Sequence, residues 1–312
     1  MPGVPPTRFA YLGPEGTFAE AALRTLPAAA HGVLLPQLSV PAALDAVRAG
    51  DADSAVVPLE NSIEGAVPTT VDELAMGEPL MITREILLPV TFALLTRAET
   101  AYDDIRTVTT HPHAEAQVRR WLRQHLPKAE FVTAPSTAGA AAAVARGQFD
   151  AAVAAPIAGE HYRLIAAATD IADTPGAVTR FGLMSRPGPP PTRTGNDRTS
   201  IAAFIADDHT GALVAVLTEL AVRGINLTRI ESRPTRERMG EYYFALDLEG
   251  HLADARVAEA LSALHRLCAD VRFLGSYPRA DGTPKPVPDH VGDPAFADAR
   301  AWLARLHDGR VG

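Results

Sequence analysis

Four short runs in this sequence set hydroxyl, amide, guanidinium or backbone N–H groups where an extended segment gives way to a turn or helix. The run Pro58-Leu59-Glu60-Asn61-Ser62-Ile63-Glu64-Gly65 follows an apolar strand pattern. Strand ends in α/β sheets point into the ligand crevice, where Asn61 and Ser62 offer both donors and acceptors. The same two residues also serve as plain turn formers that satisfy their own backbone. Thr110-His111-Pro112-His113 closes another strand pattern, and Gln117 stands about one helical turn further on. Helical side chains lean toward the N-terminus, so Gln117 reaches back toward Thr110. His111 and His113 make a weak metal pair, because no carboxylate or cysteine stands at a supporting spacing. Thr179-Arg180-Phe181 opens the last strand pattern before a proline-rich stretch. Arg180 brings bidentate geometry for a carboxylate, with a surface ion pair as the plain alternative. Gly13-Pro14-Glu15-Gly16-Thr17 joins strand to helix, and its N–H groups attract an anion. It lacks the Gly-Lys-Ser/Thr of a P-loop and the spacing of a dinucleotide site, so an ordinary turn stays open. Glu60 and Glu64 repel an acidic ligand unless they are paired, protonated or turned away. No arrangement supports a Ser, Cys or Lys nucleophile.

The elements that must position these groups alternate. Residues 8–12, 33–38 and 54–58 read as strands around helices at 17–26 and 40–49, a βαβ signature. The extended stretch 81–95, interrupted at Pro89, suits a passage from one lobe into another. A second set follows, with strands at 107–110, 130–133 and 151–154 and helices at 113–125 and 137–146. Segments near 163–167 and 179–186 are expected to return to the first lobe, leaving a cleft at the crossing. Residues 187–197, PGPPPTRTGND, form a stiff polar linker. Beyond it the order becomes βαββαβ, with helices at 212–223 and 253–267. The first of these sets Leu213, Leu217, Leu220 and Ala221 on one face, and Gly224 stands at its C-cap. A last helix at 294–307 would place Phe296, Ala299, Leu303 and Leu306 in one stripe.

The chain of 312 residues is 47% hydrophobic and 21% charged, the balance of a folded protein of two domains. A net charge of −8 argues against a nucleic-acid or anionic-membrane partner. Cys268 is the single cysteine, which excludes an intrachain disulfide and a thiolate metal cluster. Residues 1–7 lack an apolar leader pattern and no apolar run is long enough to span a bilayer, so the expected compartment is the cytoplasm.

Together, Tyr11-Leu12-Gly13-Pro14-Glu15-Gly16-Thr17-Phe18, Val57-Pro58-Leu59-Glu60-Asn61-Ser62 with Gly65, His111-Pro112 with Gln117, and Thr179-Arg180-Phe181 resemble the prephenate dehydratase family. The second domain resembles an ACT domain, in which Gly211-Ala212-Leu213-Val214 and Glu231-Ser232-Arg233-Pro234 are similar to the two phenylalanine-site motifs. The resemblance runs from Arg8 to Pro278. It implies an α/β catalytic domain of two lobes, like type II periplasmic binding proteins, plus a ferredoxin-like ACT domain. The expected boundaries are 1–187 for the catalytic domain, with lobes of about 1–80 plus 160–187 and of 81–159. A linker at 188–197, the ACT domain at 198–279 and a tail at 280–312 complete the chain.

The implied reaction converts prephenate to phenylpyruvate with loss of carbon dioxide and water, without metal or cofactor and under feedback control by L-phenylalanine. The resemblance assigns catalysis to Thr179, Asn61 and Gln117, and to Thr110 where relatives carry serine. Glu60 is a candidate acid if burial raises its pKa. Ser62, Arg180 and the turn at Gly16 and Thr17 are expected to hold the carboxylates, with Phe181 beside the departing one. Phenylalanine is expected where two ACT domains meet, at Gly211, Ala212, Leu213, Val214, Asn226, Leu227, Glu231 and Ser232, which implies a homodimer or homotetramer. An arogenate dehydratase, or a non-catalytic amino-acid sensor, are the competing readings.

Overall fold

The structure is a computed structural model that describes residues 5–206, 209–236, 241–281 and 286–310. The expectations for 1–7 and for the 280–312 tail therefore fall partly outside the described residues.

The alternating signals build two sheets in the first part of the chain. β1 (Arg8–Leu12), α1 (Phe18–Arg24), β2 (Val33–Gln37), α2 (Val40–Ala49) and β3 (Ser54–Asn61) follow the expected order. β3 continues past Pro58 to Asn61, then turns back as β4 (Gly65–Ala66) ahead of α3 (Pro68–Met76) and β5 (Met81–Pro89). The chain then enters β6 (Ala93–Thr96), β7 (Thr107–Thr110), α4 (Pro112–His125), β8 (Glu130–Thr133), α5 (Thr137–Ala145), β9 (Ala151–Ala154), α6 (Pro156–Tyr162) and β10 (Ile165–Ala168). β11 (Val178–Ser185) returns to the first sheet, whose order is β2-β1-β3-β11-β5 with β4 beside β3. The second sheet runs β10-β6-β9-β7-β8.

The expectation that 163–167 returns to the first lobe is corrected. β10 pairs antiparallel with β6 and stays in the second sheet, so β11 alone makes the return. Strand alternation explains why the second sheet is buried on both faces. Ala151 and Val153 pack with Phe92, Leu94, Val108 and Val118, while Ala152 and Ala154 pack with Ala140, Ala141 and Val144.

The chain divides into two units, Met1–Thr70 with Ile86–Met184, and Val71–Glu85 with Ser185–Gly312. In the second, β12 (Asp197–Phe204), α7 (Ala212–Ala221), β13 (Leu227–Pro234), β14 (Tyr242–Glu249), α8 (Ala255–Leu267) and β15 (Asp270–Pro278) give the expected βαββαβ order. The antiparallel sheet is ordered β13-β14-β12-β15. Its apolar face holds Ile201, Ala203, Leu246 and Leu248 against Val216, Leu220, Val257 and Leu264 of the helices. α7 therefore buries Val216 and Leu220, while Leu213 and Leu217 are half-buried and Ala221 is exposed. The last helix forms as α9 (Asp293–His307), but none of its residues is buried and Leu303 is exposed. Among the described residues, no helix is long and apolar enough to cross a membrane.

The other face sets Arg233, Glu231 and Asp247 beside Ala202, Ala245 and Tyr243, and it meets the segment 71–85 at Asp72 and Ile82. Gly275, at φ +137, leaves no room for a side chain beneath the Ile82 carbonyl. The Asp72 carboxylate accepts from Arg233 Nε at 2.9 Å and Nη2 at 2.8 Å, from Arg236 Nη2 at 2.5 Å and from Tyr243 Oη at 2.7 Å. Burial pushes the Asp72 carboxyl up, but the bonds from Arg233 and Tyr243 outweigh it and hold it below the ordinary carboxylate value. Replacing Asp72 by Ala strips these donors of their shared acceptor and should cost about 3 kcal/mol in denaturant unfolding. A depressed folded-state pKa gives stability that is complete above the unfolded value of 3.8 and is lost as pH falls through the folded one. Wild type should lose more stability between about pH 5 and about pH 3 than Asp72→Asn. Equal losses would show that the Asp72 charge contributes nothing.

Candidate active site

The longer β3 carries Asn61 to the end of the strand, where its side chain is used at both ends. Asn61 Oδ1 accepts from the backbone N–H of Ile63 at 2.8 Å and of Glu64 at 3.0 Å. That fixes the amide so that Nδ2 faces outward, and Nδ2 donates to Thr179 Oγ1 at 2.8 Å. Thr179 stands near the start of β11, the neighbour of β3, and is 8% exposed. Among the described residues no acceptor takes its hydroxyl hydrogen, so the group is free to donate away from Asn61. Ser62 repeats the arrangement beside it. Its N–H donates to the Val178 carbonyl at 2.9 Å, and its Oγ accepts from Val178 N at 3.0 Å, which leaves a second hydroxyl hydrogen.

Arg180 and Glu60 form an ion pair at 3.4 Å, with the guanidinium buried and the Glu60 side chain 41% exposed. The burial that an acid role for Glu60 requires is thus absent. Phe181 is also corrected. It is 3% exposed and packs with Phe9, Tyr11, Leu23, Val56 and Ile86 as part of the first lobe's core, so it does not line a ligand surface.

From the second lobe, α4 begins under a His111 cap. His111 Nδ1 accepts from His113 N at 3.3 Å. Burial and the neighbouring His113 push its imidazole below the ordinary value, which suits a neutral acceptor. Gln117 Nε2 lies 3.4 Å from Glu64 Oε1, and His113 Nδ1 lies 4.0 Å from Glu64 Oε2. Glu64 follows Asn61 in the same turn, so these contacts bring Gln117 to the side of the Asn61–Thr179 pair. Gln117 Oε1 is buried and takes no donor among the described residues. Thr110 departs from its expected role. It is fully buried, and its hydroxyl donates to the Val153 carbonyl at 2.5 Å, which spends the hydrogen inside the sheet. No group of three or more metal-type side chains occurs among the described residues.

The Gly13–Thr17 turn is corrected as well. Gly16 N donates to Glu20 Oε2 at 2.6 Å, while Thr17 Oγ1 donates to Leu12 O and accepts from Glu20 N. These groups are spent within the protein and do not await a ligand carboxylate. Gly16, at φ +85, is glycine because a Cβ there would press on Ala158 Cα at 3.0 Å and on the Tyr162 ring. Tyr162 Oη also donates to Glu15 O at 2.9 Å, and His161 Nε2 lies 2.8 Å from Glu20 Oε1. The motif is therefore the seat of α6 from the second lobe. Glu20, His161 and Tyr162 escaped the sequence reading because α6 itself did. Its Ala158, His161 and Tyr162 share one helical face only once that helix is recognised.

In the second unit, Gly211 caps α7 at φ +93, with nothing within 4 Å of a Cβ built there. Its positive φ is the reason for glycine at this position within one chain. A cavity beside it is lined by Ile205, His209, Ala212, Val216, Leu267 and Cys268, and by no residue of β13. Leu213 and Val214 continue α7, with Val214 exposed. Asn226 and Leu227 lead into β13, the edge strand that carries Glu231 and Ser232. Glu231 Oε2 is paired with Arg229 at 3.0 Å and Ser232 is exposed.

Comparison with known proteins gives these geometries a context. The prephenate dehydratase family model matches residues 9–189, and the ACT domain model matches residues 200–266. A prephenate dehydratase of Amycolatopsis methanolica is 54% identical over 304 residues, covering 97% of this chain and 99% of its own. The crystal structure of a prephenate dehydratase from Arthrobacter aurescens in complex with L-Phe shares 47% identity and a TM-score of 0.92, over 97% of this chain and 100% of that one. A solved structure described as GqqA, a novel type of quorum quenching acylase, shares 30% identity and a TM-score of 0.78, over 88% and 98%. With the two-lobed unit, the βαββαβ unit and these matches in place, the chain belongs to the prephenate dehydratase family.

Proposed function

We propose that this chain turns prephenate into phenylpyruvate in phenylalanine biosynthesis, under feedback control by L-phenylalanine held at its ACT domain. The observation that carries the catalytic part is the Asn61–Thr179 bond, which occupies the threonine's acceptor side and leaves its hydrogen to give. In the reaction, the bond to the ring carboxylate breaks as carbon dioxide leaves. Its electrons complete the aromatic ring and expel the ring hydroxyl. Thr179 donates to that departing oxygen, and since a threonine hydroxyl is a poor acid, water supplies the proton. Ser62 and the Arg180–Glu60 pair favour binding of the carboxylates, and Gln117 Oε1 is an open acceptor for a substrate hydroxyl. The hydrogen bond that Thr179 receives comes from an amide rather than a base, which favours a donor over the activated nucleophile of an acyl transfer.

The proposed division assigns catalysis to 1–187 and regulation to 198–279, joined by the linker at 188–197. Phenylalanine would sit where the ACT domains of two chains meet, in a cytoplasmic homodimer or homotetramer. In support, Val214 of α7 is exposed, and β13 is an edge strand of the same unit. The Arthrobacter aurescens relative was solved with L-Phe.

The direct test is phenylpyruvate formation from prephenate, with arogenate as the competing substrate. Turnover of prephenate in preference to arogenate is expected, and absence of phenylpyruvate would overturn the reading. Thr179→Ala should lower kcat by about 10²–10³-fold, whereas Thr179→Ser should stay within about tenfold of wild type. Thr110→Val should leave kcat within about twofold and lower stability by about 1–3 kcal/mol, because the buried Val153 carbonyl loses its donor. Calorimetry on the whole chain should show L-phenylalanine binding, weakened roughly tenfold by Gly211→Ala, since a side chain disfavours its positive φ. Unchanged affinity in that variant would remove the start of α7 from the effector site.

A further inference from the structure

The segment that carries the chain back from β10 to β11 contains an aspartate whose contacts fall on α4 at Gln117. In a regular helix the N–H of Trp121 would bond to the Gln117 carbonyl. Here Asp173 N donates to that carbonyl at 2.7 Å. The Asp173 carboxylate accepts from the backbone N–H of Arg120 at 2.7 Å and of Trp121 at 2.9 Å. Arg120 Nη2 in turn donates to the Asp173 carbonyl at 2.5 Å. One residue, distant in sequence, thus enters the backbone ladder of α4 from both sides, at the turn that displays Gln117.

The same segment is pinned on both flanks. Ile171 is fully buried with its N–H on the Phe92 carbonyl, and Ala177 is buried with its carbonyl on Val90 N at 2.7 Å. It then delivers Val178 to Ser62 and Thr179 to Asn61. Gln117 and Thr179 are therefore held by opposite ends of a single short run of chain. Such placement matters because a displacement of about 1 Å from productive geometry costs on the order of 10²-fold in rate.

We propose that Asp173 is a positioning residue for this reaction, setting Gln117 at a fixed place opposite Thr179 through the α4 backbone. This rests on the reading of the chain as a prephenate dehydratase. Asp173→Ser keeps the backbone bond to Gln117 and withdraws the carboxylate, and kcat on prephenate should fall roughly 10- to 100-fold with KM changed less. Asp173→Asn retains an acceptor oxygen and should stay within about fivefold of wild type. The decisive comparison repeats Asp173→Ser in a Gln117→Ala background, with thermal unfolding confirming that each variant folds. If Asp173 acts through Gln117, the second substitution adds little to the loss from the first. A full, multiplicative loss in that background, or equal damage from Asp173→Asn and Asp173→Ser, would overturn the proposal. A wild-type chain inactive on prephenate would instead sink the functional reading, and this inference with it.

Discussion

One hydrogen bond constrains the catalytic unit more than any other: the amide of Asn61 donating to the hydroxyl of Thr179. A hydroxyl rotates to suit its partners, so its direction is set by what occupies its lone pairs. Asn61 takes one of them. Its own orientation is not adjustable, because its oxygen holds two N–H groups of the turn that follows β3. For this bond to exist, β3 must run on to Asn61 and β11 must return from the second lobe to lie beside it. The two-sheet topology is what satisfies both conditions.

The charges around the pair fit a reaction in which no titratable side chain is the acid. Glu60 is compensated by Arg180, and the buried Glu20 is held below the ordinary carboxylate value. Burial raises Glu20, but the Gly16 N–H, Arg24 and His161 outweigh that effect. Both carboxylates are engaged with the protein. Beside the Arg180–Glu60 pair, this leaves a substrate a set of neutral donors and acceptors, at Thr179, Ser62 and Gln117. Preorganised donors of this kind act where charge develops on a departing oxygen.

Much of this was legible in the sequence, and the reasons for the failures are physical. β1, α2, β7, β8 and β9 fall where the sequence pattern placed them: α2 buries a helical apolar face, β1, β7 and β9 bury short continuous runs, and β8 is only half-buried at its centre. The two-domain division was visible in the proline-rich stretch and the change of element order. α6 was missed because it is short, seven residues falling between the runs at 151–154 and 163–167. Thr110 and Phe181 were misassigned because a motif gives residue types without saying which way they face. Burial then turned one into a sheet bond and the other into core. The glycine turn attracted an anion reading for its free N–H groups, but a carboxylate four residues on, Glu20, occupies Gly16 N first. Asp173 left no trace at all, since only the folded chain brings it to α4.

The orientation of the Thr179 hydroxyl is the central claim, and a change of sign at Asn61 tests it most directly. Asn61→Ala removes the donor and leaves the hydroxyl free to rotate. Asn61→Asp places an acceptor in the same position, which draws the hydroxyl hydrogen toward itself and away from the substrate. Measured as kcat on prephenate, the account predicts that Asn61→Asp is slower than Asn61→Ala by about tenfold or more. An Asn61→Asp variant as fast as Asn61→Ala, or faster, would contradict it.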